Sequence, residues 1–264
     1  MARIGRTRVW SMVALALVVM LAAARPARAQ DVRVMTSGGF TAALLELVPE
    51  FERMTGKKVG TAFGASMGNA PDSIPSRLER GEPVDIVILA DTALDDLIRQ
   101  GKVVAGSRVD LVRSNIGMSV RRGAPRPDIR TVDALRRTLH EATSIAYSAS
   151  ASGVYVSTEL YERLGMAAEL HAKSTRILSE RVAAVVARGD AEIGFQQVSE
   201  LLPVQGADFV GTLPDEVQKV TVFSAGLATG AKAPELARQL IAFLSSKAAW
   251  PVVVKSGLEP AARH

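Results

Sequence analysis

Apolar residues recur along this chain with two different periods, and the switching between them organises most of it. Val32 to Met35 is a short apolar run closed by the turn Thr36-Ser37-Gly38-Gly39, which reads as a strand. Phe40, Ala43, Leu44, Leu47, Val48 and Phe51 then fall at helical spacing, predicting a helix over Phe40–Thr55 that Gly56 stops. The alternation continues with a strand over Lys58–Phe63, the loop Gly64 to Gly68, a short helix over Ile74–Arg80, and a continuous apolar strand over Asp85–Leu89. A helix over Ala93–Gln100 follows, stopped by Gly101. Further strands are expected at Ile116–Val120, Ser144–Tyr147, Ala191–Phe195 and Val220–Gly226. Further helices are expected at Thr131–Glu141, Val154–Leu164, Ser179–Arg188 and Pro234–Leu244. Strands alternating with helices predict an α/β fold of parallel sheets covered on both faces. Such folds bind ligands in loops at the carboxyl ends of the strands.

The first 29 residues stand apart. Arg3, Arg6 and Arg8 precede an apolar run from Val9 to Ala24, and Ala27-Arg28-Ala29 follows with small residues where a signal peptidase reads. This is the layout of a secretory signal peptide cleaved after Ala29, and the apolar run is shorter than the roughly 20 residues a membrane span needs. Export to a bacterial periplasm is expected. The segment also changes the meaning of the net charge of +5. It holds five of the 32 basic residues and no acid, so the remainder carries 27 basic against 27 acidic residues and is formally neutral. Binding of nucleic acid by a basic surface loses its support. At 264 residues and 48% hydrophobic, the chain can bury one large core or two smaller ones. It has no Cys, which excludes disulfides, thiolate metal sites, thiol nucleophiles and a lipoprotein anchor, and three His make a His-rich metal site unexpected. His140 and His171 lie on predicted helices, His264 is terminal, and all three read as surface residues. The composition points to no metal or organic cofactor.

Three loops share one chemistry. The loops at Ser37, at Ser66 and over Ser148–Gly153 each join a strand end to a helix start, or nearly so, and supply Ser hydroxyls beside Gly or Ala. Small residues let backbone N–H groups approach a ligand, and a helix N-terminus adds unpaired donors and partial positive charge. Together these make an anion site that needs no Lys or Arg. Ser and Gly are also ordinary turn and capping residues, so it is the set of three that points to a site.

At these loops the sequence resembles the periplasmic solute-binding proteins of the molybdate-binding type, from about Val32 to Leu258. The resemblance is carried, in order, by Ser37-Gly38-Gly39, Phe63-Gly64-Ala65-Ser66, Ala90-Asp91 and Gly153-Val154-Tyr155. It implies a two-lobed type II binding-protein fold, each lobe a mostly parallel sheet flanked by helices, with the ligand in the cleft. Residues 30–112 and 220–264 would form lobe one and residues 113–219 lobe two; a monomer is the default for the family. Ser37 and Ser66 would donate to the ligand from lobe one, and the backbone around Gly153 and Val154 from lobe two. Two departures point away from a tetrahedral oxyanion such as molybdate. The family commonly has a donating Tyr at the position of Gln197, and Met67 to Ser73 looks like an insertion.

A closer resemblance is to the bacterial aconitate isomerases, which are exported, use this fold and interconvert cis- and trans-aconitate without a cofactor. The runs Val32 to Phe40, Ser66-Met67-Gly68 with Ala70-Pro71, Tyr147-Ser148 with Ser150 to Tyr155, and Gly194 to Pro203 carry it. The reaction it implies removes a proton from a methylene carbon and returns one at the other end of the allylic system. Ser37, Gly38, Gly39, Ser66, Met67, Gly68, Ser148, Ser152, Gly153, Val154, Tyr155, Gln196 and Gln197 would surround the ligand, and Arg77, just after the inserted loop, is the candidate cation for its carboxylates. Four residues compete for the role of base: Tyr155, Glu200, Asp91 and Tyr147. A carboxylate in that role needs burial to raise its pKa, and Asp91 reads better as a helix cap. The alternative to the isomerase is a capture protein that delivers a small anion such as a tricarboxylate to the membrane subunit of an ABC importer; a molybdate binder ranks below both.

Overall fold

The computed structural model describes residues 30–261. The expected signal peptide over 1–29 and His264 lie outside the described residues.

The described chain builds two mixed sheets. β1 (Val32–Thr36), β2 (Val59–Phe63), β3 (Ile86–Ala90), β4 (Val109–Ser114), β10 (Thr221–Leu227) and the short β11 (Glu259–Pro260) form the first, in the order β11-β4-β10-β3-β1-β2. β5 (Ile116–Arg121), β6 (Ile145–Ser148), β7 (Ser174–Ile177), β8 (Ile193–Gln197) and β9 (Ala207–Thr212) form the second, in the order β7-β6-β8-β5-β9. The helices are α1 (Gly38–Thr55), α2 (Ile74–Glu79), α3 (Asp91–Arg99), α4 (Val132–Glu141), α5 (Ala151–Tyr155), α6 (Tyr161–Arg163), α7 (Ala167–Ala172), α8 (Val182–Arg188), α9 (Val198–Leu201), α10 (Pro234–Leu244) and α11 (Trp250–Lys255). A π-helical turn over Val156–Leu160 joins α5 to α6.

Strand alternation distributes side chains to two helix layers. In β3, Ile86 and Ile88 join Phe40, Leu44, Leu47 and Phe51 of α1, together with Leu240 and Leu244 of α10. Val87 and Leu89 point the other way, to Leu78 of α2 and Leu94 and Leu97 of α3. With both faces covered, every residue of β3 is buried, which is why its sequence is continuously apolar. In the second sheet, Ile145, Ile193 and Phe195 pack with Leu135 and Leu139 of α4, and Ala146 faces Val182, Val185 and Val186 of α8.

The sheets are mixed rather than parallel because each receives strands from the crossing. β10 runs antiparallel to β3 and β4, and β5 runs antiparallel to β8 and β9. Only Asn115 separates β4 from β5, and Ser114 faces Thr221 where the chain comes back. Gln218 pins this crossing. Its Oε1 accepts from the Ile116 N–H and its Nε2 donates to the Ile116 carbonyl, both at 3.0 Å.

Four expected helix starts shift by two residues or more. The helix expected from Phe40 begins at Gly38. The helix expected from Ser179 begins at Val182, because Arg181 is still extended at φ −71°, ψ 132°. The one expected from Val154 begins at Ala151, and the one expected from Ala93 begins at Asp91.

Replacing Gln218 with Ala leaves both backbone groups of Ile116 without this partner. We expect a loss of about 2 kcal/mol in urea unfolding with an unchanged m value.

Candidate functional site

A cavity of 420 Å³ opens between the two sheets. The start of α1 (Ser37, Gly38, Gly39, Thr41) and the β2 end (Phe63, Gly64, Ala65) line one side. Ser148 to Ser152, the segment Ile177 to Arg181, Gln196, Gln197 and Glu200 line the other.

Ser37 precedes α1 in extended conformation, and its side chain makes no cap bond. Its N–H donates to the Ile88 carbonyl at 2.8 Å, and its own carbonyl accepts from Thr41 Oγ1 and the Phe40 N–H. The hydroxyl is left buried with no partner. A buried polar atom without a partner is rare and demands an explanation; here it stands beside the first N–H groups of α1, which no helical carbonyl can satisfy.

The second loop is built by a glycine. A Cβ on Gly153 would overlap the Ser148 carbonyl, so only glycine lets β6 turn this tightly into α5. The turn stacks Ser148 Oγ and Ser152 Oγ 3.1 Å apart. The Val154 N–H is spent on the Ser150 carbonyl, and Val154 is exposed. The free donors of this helix are therefore one turn earlier than expected, beginning at Ala151 and Ser152 rather than at Val154.

Ser66 is buried but outside the cavity lining. Its Oγ accepts from the Ala90 N–H at 3.0 Å, and its N–H donates to Ser150 Oγ at 3.2 Å, so it ties the two sides of the cleft together. Ser199 Oγ makes a second tie, donating to the Gly39 carbonyl at 2.8 Å. Met67 packs against the apolar layer of the first sheet, and Gly68 is exposed.

Of the four candidate bases, only Glu200 is at the cavity. It leads from α9 into the cleft, is buried, and comes so close to Gly38 that a Cβ there would overlap its carboxylate. Burial pushes its pKa up from 4.5 to about 7, while Arg181, the Gln196 side chain and the Gln197 backbone act against that rise. Gln196 bridges, donating from Nε2 to Glu200 Oε1 at 2.8 Å and accepting on Oε1 from the Val182 N–H at 2.9 Å. Gln197 Nε2 donates to Thr221 Oγ1 at 2.9 Å, and Gln197 Oε1 is buried without a partner.

The other three candidates are elsewhere. Tyr155 donates to the Val217 carbonyl at 2.7 Å and accepts from Arg163 inside the second sheet's core, and burial raises its pKa. Tyr147 packs edge-on against Tyr161. Asp91 opens α3 and lies 3.8 Å from Arg108. Arg77 is not a cavity residue either: it pairs with Glu82 and donates to the Phe63 carbonyl at 2.7 Å. Its helix turns it back against its own lobe. The cation at the cavity is Arg181, which no sequence motif marked.

The raised Glu200 pKa carries a sign for stability. The folded state holds this proton more tightly than the unfolded chain, so stability present below pH 4.5 is lost as pH rises toward 7. Replacing Glu200 with Gln removes that loss. We expect the variant to match the parent near pH 4 and to exceed it by roughly 3 kcal/mol in urea unfolding at pH 8.

Over 250 residues the chain is 46% identical to an aconitate isomerase of Pseudomonas sp, covering 93% of this chain and 95% of that one. It is 30% identical over 190 residues to the molybdate-binding protein ModA of Azotobacter vinelandii, covering 70% and 73%. Among solved structures, the periplasmic molybdate-binding protein of Azotobacter vinelandii superposes with a TM-score of 0.72 at 19% identity, over 88% of this chain and all of that one. The sulfate-binding protein SubI of Mycobacterium tuberculosis gives 0.69 at 16% identity, over 88% of each. These two structures share the two-lobed type II binding-protein fold with this chain. The bacterial extracellular solute-binding protein family matches residues 32–259, and with a cleft between two mixed sheets and donors on both walls, the chain belongs to that family.

Proposed function

We propose that this chain is an exported aconitate isomerase, released into the periplasm after cleavage behind Ala29, that interconverts cis- and trans-aconitate by an allylic proton shift. The relative at 46% identity, which spans nearly the whole of both chains, supports the reaction. Glu200 is the observation that carries it. A site that only captures an anion gains nothing from a second carboxyl buried in its wall, because the two negative groups repel and the buried one has already lost its water. A site that moves a proton needs such a group, and a pKa near 7 suits a base working near neutral pH.

In this reading the Glu200 carboxylate takes a proton from the methylene carbon of aconitate. The electron pair left behind spreads through the allylic system into the flanking carboxylates. The Ser37 hydroxyl, the N–H groups of Gly38 and Gly39, and the donors of the Ser148–Ser152 loop meet those carboxylates where charge builds up. The Glu200 carboxyl then delivers a proton to the other end of the allyl unit, which moves the double bond and restores the carboxylate. The charge and proton count are unchanged, so the chain's own residues suffice for each step. The lobes, residues 30–112 with 220–264 and residues 113–219, close on the substrate about the crossing at Asn115 and Gln218, as binding proteins of this kind close around their ligands.

The test is proton NMR of the purified mature protein with trans-aconitate in heavy water. Appearance of cis-aconitate is expected. Line broadening of aconitate without conversion over hours would leave a tricarboxylate-capture protein, and the ABC importer reading would replace this one. Glu200→Gln should lower the turnover number by about 10³-fold while substrate still binds. In the parent, kcat/KM should fall as pH drops through about 7, because the base is then protonated in the free protein.

A further inference from the structure

Arg181 is placed at the cavity by the start of α8. It is the last extended residue before α8, at the end of the segment Ile177 to Arg181 that forms one wall. Its side chain is half-buried, and its guanidinium has no hydrogen-bond or ion-pair partner among the described residues. The acid next to it is not available to neutralise it, because Glu180 is gripped by both terminal nitrogens of Arg188 at 2.8 and 3.0 Å. Asp72, on the opposite wall, is exposed and lies in the field of Arg77. Glu200 feels the Arg181 charge but bonds to Gln196. A half-buried guanidinium facing a cavity without a partner is a fork waiting for a carboxylate.

The neutral donors at the site fall into two groups. One is the Ser37 hydroxyl with the start of α1, and the other is the Ser148–Ser152 loop. Each can hold one carboxylate, and neither carries a formal charge. We infer that Arg181 is the specificity-determining residue of this cleft: it pairs with a third carboxylate, so that the site selects tricarboxylates over dicarboxylates. This rests on the reading of the cleft as a polycarboxylate site and adds to it which residue counts the charges.

The experiment is calorimetric binding of two saturated acids that cannot undergo an allylic shift, propane-1,2,3-tricarboxylate and glutarate, which differ by the central carboxylate. The parent should bind the tricarboxylate about tenfold or more tighter, the size of one charge-assisted pair. In Arg181→Gln that ratio should collapse to within about threefold, while Arg181→Lys, which keeps the charge and loses the fork, should fall between. Arg136→Gln, at an exposed arginine on α4 outside the cavity lining, should leave the ratio within twofold of the parent. The inference is overturned if the parent shows no preference, if Arg181→Gln keeps it, or if Arg136→Gln loses it equally. Because these acids report binding alone, a parent that prefers the tricarboxylate but never converts trans-aconitate would end the isomerase reading and leave the role of Arg181 standing.

Discussion

A carboxyl group buried where two lobes meet has to be accommodated from both sides, and much of this cleft is arranged around that requirement. On one side, α1 begins with glycine, and Glu200 occupies the space a Cβ on Gly38 would take. On the other, Gln196 spends its amide on holding the carboxyl and the first N–H of α8 together. This arrangement does not neutralise Glu200. The Arg181 charge and a neutral amide oppose burial without overcoming it, and the pKa is pushed up to about 7. A closer cation would make the group a stronger acid and a weaker base.

The crossing links that site to the rest of the molecule. Gln197, adjacent to Gln196, donates to Thr221, the first residue of β10 and the partner of Ser114 across the crossing. Gln218 clamps Ile116 three residues before Thr221. The wall of the cavity and the crossing segments are therefore joined by a side-chain hydrogen bond. The ties from Ser66 to Ser150 and from Ser199 to Gly39 sit on the cavity side of that joint and hold the two walls together.

Much of the fold was legible in the sequence because its central strands are buried on both faces. The run at β3 and the helical spacing at α1 leave little choice. The strands that sequence reading missed, β7 and β9, are the two edges of the second sheet, where half-exposed residues such as Ser174, Phe209 and Val210 blur the period. β4 was hidden by two charged residues, Asp110, which accepts from Ser224 of β10, and Arg113, which faces Glu259 of the very short β11. At the site, Ser37, Ser148, Ser152, Gln196, Gln197 and Glu200 were found through motifs, but motifs carry no burial. Glu200 therefore stood level with Asp91 and two tyrosines until the fold buried it against Gly38. Arg77 was chosen for its nearness in sequence to the loop at Met67, and the fold turned it toward Glu82. Arg181 carried one weak signal, that the apolar period of α8 starts only at Val182, leaving Ser179 to Arg181 outside the helix.

The difference between capturing an anion and converting one reduces here to a few side chains. Hydroxyls and helix N-termini can hold an oxyanion without any charge of their own, and a wall made only of them would release what it bound unchanged. An acid on such a wall would be of little use in an open, wet cleft, because water would restore an ordinary carboxylate pKa. In the proposed reaction, closing the lobes would remove that water and keep the Glu200 pKa high. A negative substrate enclosed beside Glu200 would then raise that pKa further by repulsion, so that binding would strengthen the proposed base. Burial of one glutamate in a wall of neutral donors is thus the physical step that separates the proposed proton transfer from capture alone.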